Sequence, residues 1–142
     1  MTRASLPACY AFRVFYEDTD AGGVVYHANY LRYCERARSL WLESLGLTHT
    51  RLASELGLGF VVTHADVEFK SPARLDDRLQ VSVAPLRLRR ASALFEQIIY
   101  CGERVLVAAQ FTIACVKLSR FTPCALPTEL RAIEARIEAK GS

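Results

Sequence analysis

No stretch of about eighteen consecutive apolar residues occurs in this sequence, which removes a membrane-spanning helix and with it integral membrane contact. No basic block stands out either. With 18 Lys and Arg against 15 Asp and Glu, the net charge is +3, which argues against nucleic acid as a partner. No C-x-x-C pair is present. The five cysteines, Cys9, Cys34, Cys101, Cys115 and Cys124, are odd in number and scattered, so neither a zinc knuckle nor a redox motif is indicated. That usage leads us to expect reduced thiols packed in a cytoplasmic protein. Residues Met1 to Phe12 point the same way: one arginine and a short apolar patch broken by Pro7 lack the apolar run of a secretory signal. No serine sits in G-x-S-x-G, which disfavours a Ser-His-Asp hydrolase. His49 and His64 stand apart from acids at any recognised ligand spacing, so no metal is expected. Internal repeats and low-complexity stretches are absent as well.

What is present suits one globular domain over residues 1–142. Hydrophobic residues make up 51% and charged residues 23%, with a mean hydropathy of +0.12. That apolar share is a little high for a small monomer and points to a subunit interface. From Cys9 to Tyr16, Tyr10, Phe12 and Val14 alternate with Ala11, Arg13 and Phe15, as a strand would require. The segment Glu17-Asp18-Thr19-Asp20-Ala21-Gly22-Gly23 reads as a turn. The spacing of Tyr30, Tyr33, Cys34, Ala37, Leu40, Trp41 and Leu45 predicts a long helix over about 28–45, with Asn29 as N-cap and Gly46 as its stop. A shorter helix, capped by Thr48, is expected from His49 to Leu56, ending at Gly57.

Beyond Gly57 the period changes to two. Phe60 to Lys70 places Val61, Thr63, Ala65, Val67 and Phe69 on one face and His64, Asp66, Glu68 and Lys70 on the other. Arg78 to Leu88 is a further strand, with Pro85 demanding an edge or a bulge. Ser92 to Cys101 and Val105 to Leu118 complete the set, joined by a two-residue turn at Gly102-Glu103. A short amphipathic tail helix follows Leu126-Pro127-Thr128 and ends near Ala139. One long helix plus a run of consecutive strands implies an α+β fold with an antiparallel sheet.

The densest polar group is Glu17, Asp18, Asp20 and His27, where the first strand meets the long helix. Two glycines allow close backbone approach, and a helix N-terminus offers free N–H groups and a positive dipole end. Such parts can hold a carbonyl oxygen that becomes an oxyanion, with a carboxylate beside it. The same aspartates can instead only shape a turn and cap the helix. Farther on, Arg87-Leu88-Arg89-Arg90-Ala91-Ser92 gathers three arginines, whose planar forks suit phosphate but also suit a solvated hairpin corner.

The run from Asp18 to Tyr30 (D-T-D-A-G-G-V-V-Y-H-A-N-Y), with Glu35-Arg36-Ala37-Arg38 after it, resembles the signature of the 4-hydroxybenzoyl-CoA thioesterase family. It is most similar to the YbgC-like branch, bacterial acyl-CoA thioesterases linked to the Tol–Pal cell-envelope system. Ser71-Pro72-Ala73-Arg74-Leu75-Asp76-Asp77 and the Pro123-to-Pro127 segment extend the resemblance over about residues 10 to 130. It implies a hotdog fold, a five-stranded antiparallel sheet wrapped around one long central helix. It also implies dimers joined sheet edge to sheet edge, often paired into homotetramers, with CoA spanning subunits at the active site.

In that family the second acid of D-x-D is catalytic, as nucleophile or as general base for water, and here it is Asp20. The backbone N–H that polarises the thioester carbonyl falls on His27, whose side chain matches the YbgC-like branch and can help in binding. Asp18 is expected to be structural, and Tyr30 to pack on the helix. The family's CoA-holding arginines and serine fall by position on Arg89, Arg90 and Ser92. Ala91 replaces a lysine found in some relatives, which implies fewer phosphate contacts. The expected activity is acyl-CoA thioester hydrolysis without cofactor or metal, CoA being part of the substrate. The rival readings are a hotdog enzyme acting on acyl carrier protein and a non-catalytic acyl-CoA-binding or Tol–Pal partner protein. Acyl pocket depth is expected to depend on Phe60, Val61, Val62 and Thr63 and on the partner subunit's helix.

Overall fold

The computed structural model describes residues 8–134 together with 136 and 137. The first strand, β1 (Ala8–Arg13), turns Tyr10 and Phe12 toward the core and leaves Cys9, Ala11 and Arg13 outside, as its alternation requires. It stops three residues before the alternating pattern does. The Asp18 carboxylate accepts from Phe15 N (2.9 Å), and the chain closes into a 3₁₀ turn at Tyr16–Asp18 instead of extending.

Helix α1 (His27–Ser44) begins one residue earlier than its spacing suggests, and its N-cap is Tyr26, not Asn29. Asn29 lies inside the first turn, buried, because its side chain is drawn to Asp18, donating to the Asp18 carbonyl (3.0 Å). The far end follows expectation. Gly46 takes φ +85°, and Gly46 N and Leu47 N bond back to the carbonyls of Glu43 and Leu42, a Schellman stop. Thr48 Oγ1 accepts from Arg51 N (3.1 Å), which starts the short helix α2 (His49–Arg51). It continues as a π turn over Leu52–Leu56 and ends at Gly57, φ +68°.

The remaining strands are β2 (Leu58–Phe69), β3 (Arg78–Leu88), β4 (Ser92–Cys101), β5 (Arg104–Lys117) and a two-residue β6 (Thr122–Pro123). All pairings are antiparallel, in the order β1-β3-β4-β5-β2. The small β6 has no counterpart in the expected strand set. It pairs with Val116 and Lys117 of β5, beyond the last β4 partner at Ala114. Pro85 sits where the β3–β4 register shifts and where described pairing with β1 has already ended at Val83, so its missing N–H costs no ladder bond on that side. Gly102 takes φ +62° in the two-residue β4–β5 turn.

The sheet curls around α1, and the core lies between them. Tyr33, Cys34, Ala37, Trp41 and Leu42 of the helix meet the inward residues of the sheet, among them Leu79, Val81, Phe95, Ile99 and Phe111. Trp41 and Phe95 stack edge-on at 5.4 Å. This is the hotdog arrangement that the resemblance implies.

Two further expectations need correction. The two-faced alternation of β2 is not realised: a bulge lies between Val62 and His64, and Val62 through Asp66 are all exposed. The cause is position, since among the described residues β2 is an edge strand with only β5 beside it. The thiols are not uniformly packed: Cys34 and Cys115 are buried but Cys9 is exposed. Burial pushes both buried thiols up to about 12, helped at Cys115 by the neighbouring Cys124. In the tail, Thr128–Arg131 forms helix α3, while residues 135 and 138–142 of the expected helix lie outside the described residues. Residues 1–7 lie outside them too.

Ile99 is wholly buried between sheet and helix. Urea denaturation of Ile99→Ala is expected to show an unfolding free energy about 2–5 kcal/mol below wild type. Glu103→Ala, in the exposed hairpin turn, is expected to change it by less than about 0.5 kcal/mol.

Candidate active site

Asp18 and Asp20 stand two residues apart and do different work. Asp18 is buried. Its carboxylate accepts from Phe15 N, its second oxygen lies 3.4 Å from Asn29 Nδ2, and its carbonyl accepts from Tyr26 N (3.1 Å). It therefore joins the end of β1, the start of α1 and the turn between them. The neighbouring Tyr33 hydroxyl is buried with no hydrogen-bond partner among the described residues. Burial raises its pKa, and the Asp18 carboxylate raises it further.

Asp20 is exposed at the tip of a small hairpin. Thr19 bridges to Val25, Asp20 N donates to Val24 O (2.8 Å), and Gly23 N donates to Asp20 O (3.0 Å). One carboxylate oxygen, Oδ1, is held by Gly22 N (2.8 Å). The other meets no donor among the described residues. A Cβ at Gly22 would lie 3.3 Å from Oδ1, and Gly23 takes φ +82°, so both glycines serve the close turn. The loop is braced from below by the Ser71–Asp77 segment. Val25 N donates to Ala73 O, Val24 bridges to Arg74, and Ala73 N donates to the Tyr30 hydroxyl (2.9 Å). Tyr30 is thus packed on the helix as expected, its pKa raised chiefly by burial.

His27 is the first residue of α1, immediately after this loop. The backbone N–H groups of His27 and Ala28 find no acceptor among the described residues, as the first turn of a helix requires. The His27 ring is exposed, 4.5 Å from Tyr26 and edge-on to Phe69 at 6.3 Å. Of these two neighbours only Tyr26 is adjacent in sequence; Phe69 reaches the site from the far end of β2. No group of three or more His, Cys, Asp or Glu stands together as a metal site among the described residues.

Arg89, Arg90 and Ser92 form the turn from β3 to β4, closed by Arg89 N donating to Ser92 O (2.8 Å). Both arginines are exposed and Ser92 is half-buried. The turn is held from behind. Arg131 Nη2 donates to the carbonyls of Arg89 (3.0 Å) and Arg90 (2.9 Å), and Leu126 N also donates to Arg90 O. Arg131 escaped the sequence reading, because nothing local signals a contact with residues 41 and 42 positions away.

The fold does not bring this turn to Asp20. The Asp20 hairpin adjoins the start of β3, through Val14 N donating to Asp77 O, whereas the arginine turn follows its end. The 11 residues of β3 lie between them, a path of at most about 35 Å at roughly 3.3 Å per residue.

A cavity of about 110 Å³ opens between α1, β2, β4 and β5, lined by Phe60, Val61, Val62, Ala93, Phe95 and Ile113, with Arg38 among its polar groups. Thr63 takes no part in it. Arg38, the last residue of the Glu35-Arg36-Ala37-Arg38 motif, is buried: Nη1 donates to Gln97 Oε1 (2.8 Å), and the guanidinium lies 4.6 Å over the Phe111 ring. The signal was available, since Arg38 is four residues from Cys34 and three from Trp41 on the apolar stripe.

The thioesterase-like superfamily matches residues 14–133. The chain is 43% identical over 120 residues to the acyl-CoA thioesterase YbgC of Haemophilus influenzae, covering 84% of this chain and 88% of that one. To the acyl-CoA thioester hydrolase YbgC of Escherichia coli it is 41% identical over 119 residues, covering 83% and 88%. Among solved structures, a probable thioesterase from Bartonella henselae superposes with a TM-score of 0.82 at 40% identity, covering 85% of this chain and 99% of that one.

The two aspartates separate by substitution. Asp18→Ala leaves Phe15 N without its acceptor and is expected to lower the unfolding free energy by about 1–3 kcal/mol. Asp20→Asn keeps an acceptor for Gly22 N and is expected to stay within about 0.5 kcal/mol of wild type, both read by urea denaturation.

Proposed function

The chain belongs to the thioesterase-like superfamily, and from that premise we infer that it acts as one catalytic domain hydrolysing an acyl-CoA thioester to a carboxylic acid and free CoA. The observation that carries this reading is the Asp20 carboxylate, one oxygen pinned by Gly22 N and the other free, on a loop leading directly into unpaired N–H groups at His27 and Ala28. The thioester carbonyl oxygen points at the helix N-terminus, where the His27 N–H and the dipole stabilise the developing oxyanion. The Asp20 oxygen either attacks the carbonyl carbon, giving a mixed anhydride that water opens, or takes a proton from the attacking water. Both routes add one water and release the CoA thiol. The His27 ring, beside Tyr26 and Phe69, flanks the bound ester. No metal or redox group is given a step, so dialysis against EDTA is expected to leave turnover unchanged.

Arg89, Arg90 and Ser92 hold the CoA phosphates of a substrate whose ester lies in the partner subunit. The separation along β3 supports this, because a CoA bound at the arginine turn does not reach Asp20 of the same protomer. So does the exposed edge of β2. A two-fold pairing of β2 with its copy is antiparallel, which sets the Phe69 end of one strand beside the Leu58 end of the other. The catalytic loop of one protomer then approaches the arginine turn of its partner. Two such dimers can pair as tetramers. Cysteine usage favours the cytoplasm as the site of action. The names of the curated relatives favour CoA over acyl carrier protein, and the free Asp20 oxygen favours an enzyme over a non-catalytic Tol–Pal partner.

Free-thiol release from acyl-CoAs of graded length tests the reading. Asp20→Asn is expected to lower kcat by about 10²–10⁴-fold on the best substrate; wild-type turnover in the variant would overturn it. Arg90→Ala is expected to raise KM about tenfold for the CoA ester. The matching pantetheine ester, which lacks the nucleotide phosphates, is expected to show no such change.

A further inference from the structure

Arg38 is 8% exposed and has no carboxylate within ion-pairing distance among the described residues. Only Nη1 meets an acceptor, the neutral Gln97 amide oxygen; Nε and Nη2 meet none among the described residues. These atoms are not sealed in, since the one buried side-chain polar atom lacking a partner among the described residues is the Tyr33 hydroxyl. Arg38 also lines the cavity. A charge taken out of water without an opposite charge is costly, and a planar fork with spare donors facing an apolar cavity is matched by a carboxylate.

The rest of the cavity fits the body of such a ligand. Phe60, Val61, Val62, Ala93, Phe95 and Ile113 form apolar walls. A volume of 110 Å³ is a little below that of a benzene-holding cavity, about 150 Å³, and suits a body of roughly four to six carbons. Glu35 is the acid at the rim. It is exposed and turned to Ser39, whose Oγ donates to Glu35 Oε2 (2.7 Å) and lies 2.8 Å from His49 Nε2. Its charge acts on the Arg38 guanidinium, but from an exposed position, screened by solvent and without an ion pair.

We propose that this cavity is a carboxylate-accepting subsite in which Arg38 receives the far end of an acyl group that ends in a carboxylate. The placement rests on the hydrolase and dimer reading above. The walls Phe60 to Val62 belong to the Leu58 end of β2, which antiparallel pairing sets beside the partner's catalytic loop. The enzyme therefore discriminates among acyl-CoAs by their remote end as well as by length. A free carboxylic acid, such as the released product, presents the same chemistry to the same guanidinium.

The test compares glutaryl-CoA with pentanoyl-CoA, which share five acyl carbons and differ in the terminal carboxylate, with spontaneous hydrolysis subtracted. Wild type is expected to favour glutaryl-CoA about tenfold or more in kcat/KM. Arg38→Gln is expected to bring the ratio to about one and Arg38→Lys to restore part of it. No preference in wild type, or a preference unchanged in Arg38→Gln, overturns the acyl-end assignment. If Arg38→Gln does not fold, Ala93→Val, which narrows the wall, is expected to depress glutaryl-CoA turnover more than acetyl-CoA turnover; equal effects overturn the proposal.

A second arm uses no turnover and so remains readable if the hydrolase reading fails. In 1H–15N spectra the Arg38 Nε–H resonance is followed with butyrate and with butyramide. A shift saturating with butyrate at about tenfold lower concentration than with butyramide supports the subsite. Equal response to both, or none to either, overturns it. Butyrate binding without glutaryl-CoA preference identifies the free acid as the occupant.

Discussion

The seat of the long helix in the sheet depends on one buried bridge. Gln97, on β4 and wholly enclosed, donates through Nε2 to the carbonyl of Cys34 (2.9 Å) and accepts through Oε1 from Arg38. Helix and sheet otherwise meet through apolar contacts, which are strong but non-directional. This pair of hydrogen bonds adds direction, because displacing α1 along its axis would strand a guanidinium and an amide in the core. The inward stripe from Tyr30 to Leu42 is thereby held against β3 and β4, and the N-terminus of α1 is held at the Asp20 hairpin.

At that N-terminus two acids with identical chemistry are made different by their surroundings. Asp18 is consumed by Phe15 N, Asn29 and the turn it closes. Asp20 projects beyond the turn with one oxygen occupied. The Ser71–Asp77 segment, between β2 and β3, completes the arrangement through Ala73 and the Tyr30 hydroxyl. The Asp20 carboxylate is held in place although exposed: Gly22 and Gly23 close the loop, and Val25 is buried beneath it.

Both ends of the sheet carry chemistry, but separately. One end presents Asp20, His27, Phe69 and Tyr26; the other presents Arg89, Arg90 and the Arg38-lined cavity. The long, exposed β2 edge runs between them. An edge twelve residues long, unpaired among the described residues, is a hazard for an isolated protomer and a template for a second copy. The same feature that leaves β2 without alternation thus suits the proposed assembly, in which each Asp20 loop meets the opposite end of its neighbour.

By itself the sequence determined the features that are local. The order of strands and helices followed from period-two and helical spacing. Gly46, Gly57 and Gly102 marked chain reversals because only a residue without Cβ adopts their positive φ cheaply. The pairing of an acid-rich, glycine-containing loop with a helix start marked Glu17, Asp18, Asp20 and His27 as one polar group, since turn chemistry and helix capping act over a few residues, and the family resemblance separated Asp20 and His27 from the rest. Tertiary structure alone decided the rest. It gave Asp18 its partners Phe15 N and Asn29, moved Asn29 from cap to clasp, buried Arg38 and set Arg131 behind the arginine turn. It also parted Arg89 from Asp20 by the length of a strand. Each of these depends on which distant segments the curled sheet brings together, and such pairings reflect packing of the whole core, which no short window of sequence encodes.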